Sequence, residues 1–175
     1  MKTRAARIAR SAVFIAIGIV LPMFFHLFGL GKEFLPMHIP VLTGSILLGW
    51  KMGLAIGLLT PLLSSLATGM PPMMPPVAVA MMVELAILGA LAGALYTVLK
   101  RNVFATLAVA ILAGRLAWGV AGWLLLPLLG IRGVNILYPL GAGLVASIPG
   151  IIVQFVAVPV LVRVLGSVVK TESPA

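Results

Sequence analysis

The stretch VAVAMMVELAILGALAGALYTVL, residues 77–99, decides how this chain folds. It is longer than the roughly 20 residues that a helix needs to cross a hydrocarbon core of about 30 Å, and its only charged residue is Glu84. It lacks the alternation of apolar and polar residues that marks a barrel strand. Because lipid-exposed backbone must satisfy its own hydrogen bonds, the stretch is predicted to be a transmembrane helix.

The rest of the chain has the same character. Of its 175 residues, 62% are hydrophobic and 9% charged, and the mean hydropathy is +1.26. Too few polar residues remain to cover a soluble fold, so soluble enzymes and nucleic-acid-binding modules are excluded despite the net charge of +9. The absence of cysteine excludes disulfides and thiolate sites. With two histidines and no aspartate, we expect neither a metal nor a cofactor.

Charges and Gly/Pro clusters divide the chain into six predicted transmembrane helices. We therefore predict an all-α membrane protein, a six-helix bundle in a single membrane domain covering residues 1–175. The second and third helices are predicted to form a hairpin that turns at Trp50-Lys51. The predicted spans are about 10–30, 35–50, 52–68, 77–99, 103–128 and 140–165.

The basic residues predict the orientation of this bundle. With six spans, both termini lie on one side, and that side carries far more lysine and arginine than the other. By the positive-inside rule both termini are predicted to be cytoplasmic. The basic side holds Lys2, Arg4, Arg7, Arg10, Lys51, Lys100, Arg101, Arg163 and Lys170, and the other side holds Lys32 and Arg132.

Four of the predicted helices carry stripes of small residues, which mark faces where membrane helices approach closely. Internal packing is the expected role of three of these stripes. The fourth begins at the basic end of the first helix and serves either internal packing or docking of a partner protein. The three are Gly53, Gly57, Thr60 and Ser64; Ala86, Gly89 and Gly93; and Gly143, Ser147, Gly150 and Gln154; the first-helix stripe is Ala5, Ala9, Ala12 and Ala16.

Two charged residues are predicted to lie inside the membrane, where each costs about 3 kcal/mol on insertion scales. Glu84 and Arg115 either form a structural ion pair or line a polar pocket in which the arginine fork binds a ligand carboxylate. Trp118 shares the face of Arg115 and would supply an apolar wall. Gln154 supplies either an amide contact to a ligand or a hydrogen bond between helices.

The outer loops supply further candidates. Residues 34–40 and 69–76 combine stiff proline with adaptable methionine, a composition that fits either a lid or a plug of the bundle. His38 is either a ligand contact or a helix cap. Asn135 and Tyr138, in the last outer loop, are candidate ligand contacts, although Tyr138 would also serve as an interfacial anchor.

No motif of an ATPase, metalloprotease or hydrolase is present, so no catalytic residue is predicted. Energy for uphill transport would have to come from elsewhere. Two other functions remain open: a stand-alone proton- or ion-coupled carrier with Glu84 as the proton site, and a scaffold subunit in which Glu84 and Arg115 only pair.

Several motifs together resemble the substrate-binding S components of energy-coupling factor (ECF) vitamin transporters. The resemblance covers nearly the whole chain. It is carried by the AxxxA motif Ala12 and Ala16, PMHIPVL at 36–42, TPLLSS at 60–65, TGMPP at 68–72, and Glu84-Leu85-Ala86 with Gly89, Gly93, Leu95 and Tyr96.

This resemblance implies a subunit, not an enzyme, that binds one micronutrient near the outer face through its outer loops and last three helices. The first-helix alanines would dock on a transmembrane coupling protein driven by two cytosolic ATPases. A single intramembrane arginine and few pocket aromatics, among which we count Trp118, Trp123 and Tyr138, favour a small flexible acid. Pantothenate is the first expectation, followed by hydroxymethylpyrimidine or another B vitamin.

Overall fold

The computed structural model describes residues 2–29, 34–73, 77–125, 127, 130 and 142–171. Within these ranges every regular element is helical. The helices are α1 (Lys2–Leu27), α2 (His38–Leu48), α3 (Trp50–Thr68), α4 (Val77–Gly93, continued by a π-helical turn over Ala94–Val98), α5 (Val103–Leu125), α6 (Ala142–Ala146) and α7 (Ile148–Thr171).

Among the described residues, five helices are long and apolar enough to cross a membrane, which agrees with a multi-pass helical membrane protein. A sixth span over 35–50 is not confirmed, because α2 has only 11 residues. Backbone geometry sets its limits. Before the helix, Leu35 has φ 46° and precedes Pro36. After it, Gly49 has φ 86° and donates its N–H to the Ser45 carbonyl. The hairpin therefore turns at Gly49, and the predicted turn at Trp50-Lys51 is wrong by one residue.

The last predicted helix, 140–165, also differs from the structure. The short helix α6 ends at Ala146, and the long helix α7 begins at Ile148 and continues to Thr171. Pro149 lies in the first turn of α7. Its missing N–H would have no partner within the helix at that position, so proline is tolerated there.

Helices α3 and α4 pack antiparallel with their backbones in contact. A Cβ atom added at Gly53 would overlap the Gly89 carbonyl, and one added at Gly57 would overlap the Leu85 carbonyl. A Cβ at Gly93 would lie 2.5 Å from the backbone nitrogen of Trp50. These contacts confirm internal packing for the small stripes of both helices, because only glycine permits so close an approach.

Burial differs strongly between helices. In the most apolar stretch of α4, 50% of the residues are buried, whereas in that of α1 only 17% are. Helix α1 attaches through one face, and its predicted alanine stripe lies outside that face. The buried residues of α1 are Ser11, Phe14, Gly18 and Pro22, whereas Ala5, Ala9, Ala12 and Ala16 are all exposed.

Candidate functional site

A buried polar cluster lies where α2, α4 and α5 meet. Glu84 is 2% exposed, and its Oε1 lies 3.3 Å from Arg115 Nη1 and 3.3 Å from His38 Nε2. Glu84 and Arg115 therefore form an ion pair, which is one of the two arrangements that the sequence left open. Their charges compensate each other, which offsets the cost of placing either one in an apolar environment.

Helix packing explains why these side chains meet. A Cβ at Gly114, the residue before Arg115, would lie 3.4 Å from the Glu84 carbonyl oxygen, so the absence of a side chain there brings α5 close to α4. His38 is the first residue of α2, and two roles were predicted for it, a ligand contact or a helix cap. The cap role is wrong: the residue at the N-cap is Met37 and no side chain caps the helix. The ring of His38 instead contacts Glu84.

Two atoms of this cluster lack a hydrogen-bond partner in the described part of the chain. They are Arg115 Nη2 and His38 Nδ1, and both are buried. Leaving a buried polar group unsatisfied costs about 1–3 kcal/mol, and more for a charged one. The cluster therefore holds polar groups whose hydrogen-bonding capacity is only partly used by the described residues.

The cluster forms part of the wall of a cavity of about 500 Å³. This volume is within the usual range for small-molecule sites, which are mostly apolar with a few convergent polar groups. The wall is built by the end of α1, the segments before α2 and α4, and parts of α3, α4 and α5. The lining residues are Pro22, Met23, His26, Leu35, Pro36, Met37, His38, Ser64, Met70, Pro71, Pro72, Val77, Met81, Glu84, Arg115 and Trp118.

The proline- and methionine-rich segments thus line the cavity, as far as they are described. The segment after α3 is held by two serine hydroxyls. Ser64 Oγ donates to the Met70 carbonyl at 2.7 Å, and Ser65 Oγ donates to the Pro71 carbonyl at 2.6 Å. The small stripe of α3 therefore has a second role at its C-terminal end, where Ser64 and its neighbour Ser65 anchor one wall of the cavity.

Of the predicted contacts, Glu84, Arg115, His38 and Trp118 come together at this cavity. Gln154 is not among its lining residues. It is fully buried, and within the described residues neither polar atom of its amide has a partner. The predicted pocket position of Trp123 is wrong, since this residue is 50% exposed and does not line the cavity.

Asn135 and Tyr138 lie outside the described residues. Conversely, the sequence reasoning missed His26, which lines the cavity from the end of α1. One signal was available, since His26 and His38 are the only histidines of the chain. In the described residues, no group of three or more His, Cys, Asp or Glu side chains could hold a metal ion.

A polar cluster beside a cavity, in a bundle of apolar helices, is the arrangement of a membrane protein with a candidate binding site. The chain matches the family described as ECF transporter, substrate-specific component, over residues 6–162. Because the match covers nearly the whole chain, the protein belongs to this family. Comparison with curated proteins and with solved structures gave no match.

Membership in this family makes the chain the substrate-specific subunit of an ECF transporter. Such subunits are transport proteins rather than enzymes. They work with an ECF module of transmembrane and ATPase subunits and take a small-molecule substrate.

Proposed function

We propose that the cavity beside Glu84 and Arg115 binds a small water-soluble vitamin or precursor, with pantothenate first and hydroxymethylpyrimidine second. In this proposal both termini are cytoplasmic and the cavity opens toward the extracellular face. The loaded subunit delivers its cargo by docking the exposed alanine face of α1 on the transmembrane coupling protein, which two cytosolic ATPases drive.

The observation that carries the substrate proposal is the half-used guanidinium of Arg115. Its Nη1 holds Glu84, while its Nη2 is buried with no partner in the described residues. A ligand carboxylate is a strong acceptor for such a nitrogen. Pantothenate brings a carboxylate on a flexible chain, which suits a cavity walled largely by methionine and proline.

Hydroxymethylpyrimidine remains the second candidate because Glu84 also lines the cavity. Its carboxylate could accept a hydrogen bond from the amino group of the pyrimidine. The two candidates use opposite members of the same pair, so they respond differently to loss of Arg115.

The docking proposal is supported by the exposure of Ala5, Ala9, Ala12 and Ala16. Lipid is as apolar as these side chains, so burying them in a partner gains mainly from close packing. A smooth face of small residues permits that packing.

The substrate proposal is tested by calorimetric titration of the detergent-purified protein with pantothenate, its neutral alcohol panthenol, and hydroxymethylpyrimidine. For pantothenate we expect Arg115→Met to weaken binding by roughly 2–5 kcal/mol. Panthenol should bind the wild type poorly and respond little to the substitution.

Arg115→Met also leaves Glu84 without its counterion, so a double variant serves as the control. Glu84→Gln/Arg115→Met removes both charges and should recover the unfolding temperature lost in the single variant. Pantothenate binding should stay lost. Unchanged pantothenate affinity in either variant would exclude Arg115 from the site, and failure of the wild type to bind any of the three compounds would overturn the proposal.

A further inference from the structure

The end of the bundle opposite the cavity carries exposed positive charge. It is formed by the start of α1, the turn between α2 and α3, and the connection from α4 to α5. Among the described residues the only carboxylate side chain is Glu84, which pairs with Arg115 at the cavity. The cations at the opposite end therefore have no carboxylate counterion in the described part of the chain. They are Arg7, Lys51, Lys100 and Arg101, all of them exposed.

Arg7 is held at this end by a defined contact. Its Nη2 donates to the carbonyl of Leu48, the last residue of α2, at 2.7 Å. Arg7 lies one helical turn before the buried Ser11, whose Oγ donates to the Arg7 carbonyl at 2.9 Å. It is about 160–200° around α1 from Ala5 and Ala9. The guanidinium is therefore fixed against the turn between α2 and α3, and it faces away from the alanine stripe.

A second cation lies on the same turn. Lys51 Nζ is 5.5 Å from the centroid of the Trp50 ring, within the range of a cation–π contact. Both side chains are exposed. The Cα atoms of Leu48 and Lys51 are at most about 11 Å apart, because only three peptide units separate them. One short turn thus brings together a fixed guanidinium, an ammonium group and an indole ring.

This turn lies at an edge of the predicted membrane-spanning region. One span-length helix begins at Trp50 and another, which packs antiparallel to it, ends at Val98. Tryptophan is enriched at the level where hydrocarbon meets headgroups. Leu54, one helical turn further along α3, is exposed and apolar. A lipid beside this turn would have its headgroup at Arg7 and Lys51 and its acyl chains along the apolar surface below.

We propose that the turn between α2 and α3, together with Arg7, binds the phosphate group of an anionic phospholipid. Cations at the membrane surface attract lipids of net negative charge. Arginine binds phosphate oxygens well, and the bond to Leu48 already orients this guanidinium while leaving it further N–H donors. The site lies away from both the cavity and the alanine stripe, so this proposal does not depend on the proposed function.

The test measures which lipid contacts Trp50 in the whole chain reconstituted into bilayers. Trp118→Phe and Trp123→Phe leave Trp50 as the single tryptophan. Lipids brominated on their acyl chains quench a tryptophan that they touch. Quenching by brominated phosphatidylglycerol and by brominated phosphatidylcholine therefore compares an anionic with a zwitterionic headgroup at this turn. We expect phosphatidylglycerol to bind at least about fivefold more tightly, since one surface cation contributes about that factor.

Substitutions then assign the preference to the two cations. Arg7→Gln and Lys51→Gln should each lower it by at least about threefold. Arg163→Gln is the matched control, because it removes the same charge from an exposed position on α7. It should leave the preference unchanged. Each variant is normalised to its own fluorescence in unbrominated lipid, which cancels any direct effect of the substitution on Trp50.

The two-lipid comparison requires no change at a cation, and equal quenching by the two lipids would overturn the proposal. An unchanged preference in Arg7→Gln and Lys51→Gln would also overturn it. An equal loss in Arg163→Gln would do the same, because net charge alone would then set the preference.

A free anion is the other source of the same phosphate chemistry. Inorganic phosphate replacing chloride at equal ionic strength should leave the lipid preference intact, because screening is then the same. If phosphate abolishes the preference, the turn is a site for soluble anions and the lipid proposal is overturned.

Discussion

Helices α1 and α3 each carry a stripe of small residues, yet the structure uses the two stripes in opposite ways. In α3 the residues Gly53, Gly57, Thr60 and Ser64 are all buried. In α1 the residues Ala5, Ala9, Ala12 and Ala16 are all exposed. Small residues at similar spacing are therefore buried between α3 and α4 but exposed on the surface of α1.

The difference lies in what faces each stripe. Gly53 of α3 meets Gly89 of α4 and Gly57 meets the Leu85 carbonyl, so at each contact the α3 backbone has no Cβ to keep the helices apart. Helix α1 instead packs through Phe14 and Gly18, on a different face from its alanines. Glycine facing a backbone identifies an internal contact, whereas the alanines of α1 are exposed among the described residues, which leaves their face available for the docking proposed above.

Gly57→Ala, in the buried stripe, should cause the largest loss of stability. Its new Cβ would overlap the Leu85 backbone, which cannot move without shifting α4. We expect the substitution to cost at least about 3 kcal/mol of unfolding free energy, at the upper end of overpacking effects. The measurement is the unfolding midpoint and yield of the detergent-purified protein.

Gly166→Ala is the matched control for this experiment. Its Cβ would lie 3.7 Å from Leu47 Cδ2, an ordinary contact. Replacing a helical glycine with alanine should then leave stability unchanged or raise it. Equal losses in the two variants would show that alanine is harmful anywhere in these helices, and the contrast between the stripes would disappear.

Much of this fold follows from the sequence because long apolar stretches have few alternatives in lipid. Five of the predicted spans have counterparts among the long helices. The short length of α2 was missed because hydropathy does not report backbone angles, and the positive φ of Gly49 determines where this helix ends. The pairing of Glu84 with Arg115 was predictable, since each is costly alone.

The rest of the site depends on distances that spacing does not give. The C-terminal end of α1 forms part of the cavity wall, and His26 lies there together with Pro22 and Met23. Gln154 lies on the same stripe as Ser147. Both residues are buried, and Gln154 does not line the cavity. A polar residue on a small stripe is thus ambiguous until the partner helix is known.

Ala12→Trp tests the open stripe of α1. A large ring on an exposed face should leave folding and pantothenate binding unchanged, because Ala12 contacts neither core nor cavity. If the stripe docks on the coupling protein, pantothenate uptake by proteoliposomes containing the complete transporter should fall to background.

Ile17→Trp is the control for position on the helix. Ile17 is also exposed and lies about 100° around α1 from Ala16. Its substitution should preserve uptake. Equal uptake in Ala12→Trp and wild type would contradict docking through the alanine stripe.

Gly18→Ala tests the packed face of the same helix, and we expect a smaller loss than for Gly57→Ala. Its Cβ would lie 2.5 Å from Thr60 Cγ2, a side-chain methyl group rather than backbone. We expect a loss of about 1–2 kcal/mol in the free energy of unfolding. Thr60→Ser removes that methyl and keeps the hydroxyl that donates to the Ile56 carbonyl.

The double variant Gly18→Ala/Thr60→Ser should therefore recover most of the lost stability, as measured by thermal unfolding. Strictly additive losses in the double variant would mean that the two residues do not interact. Helix α1 would then be held by other contacts, and its packed face would not depend on close approach.

Arg7→Gln should have the smallest effect, and it tests how the sparsely buried α1 is attached near its N-terminal end. Arg7 Nη2 donates to the Leu48 carbonyl at 2.7 Å, at the last residue of α2. The positive charge also complements the negative end of that helix. Because Arg7 is exposed, we expect a loss of only about 0.5–1 kcal/mol in unfolding free energy. Arg4→Gln removes an exposed arginine one turn earlier and should change stability little; an equal loss there would assign the effect to net charge instead of the bond to α2.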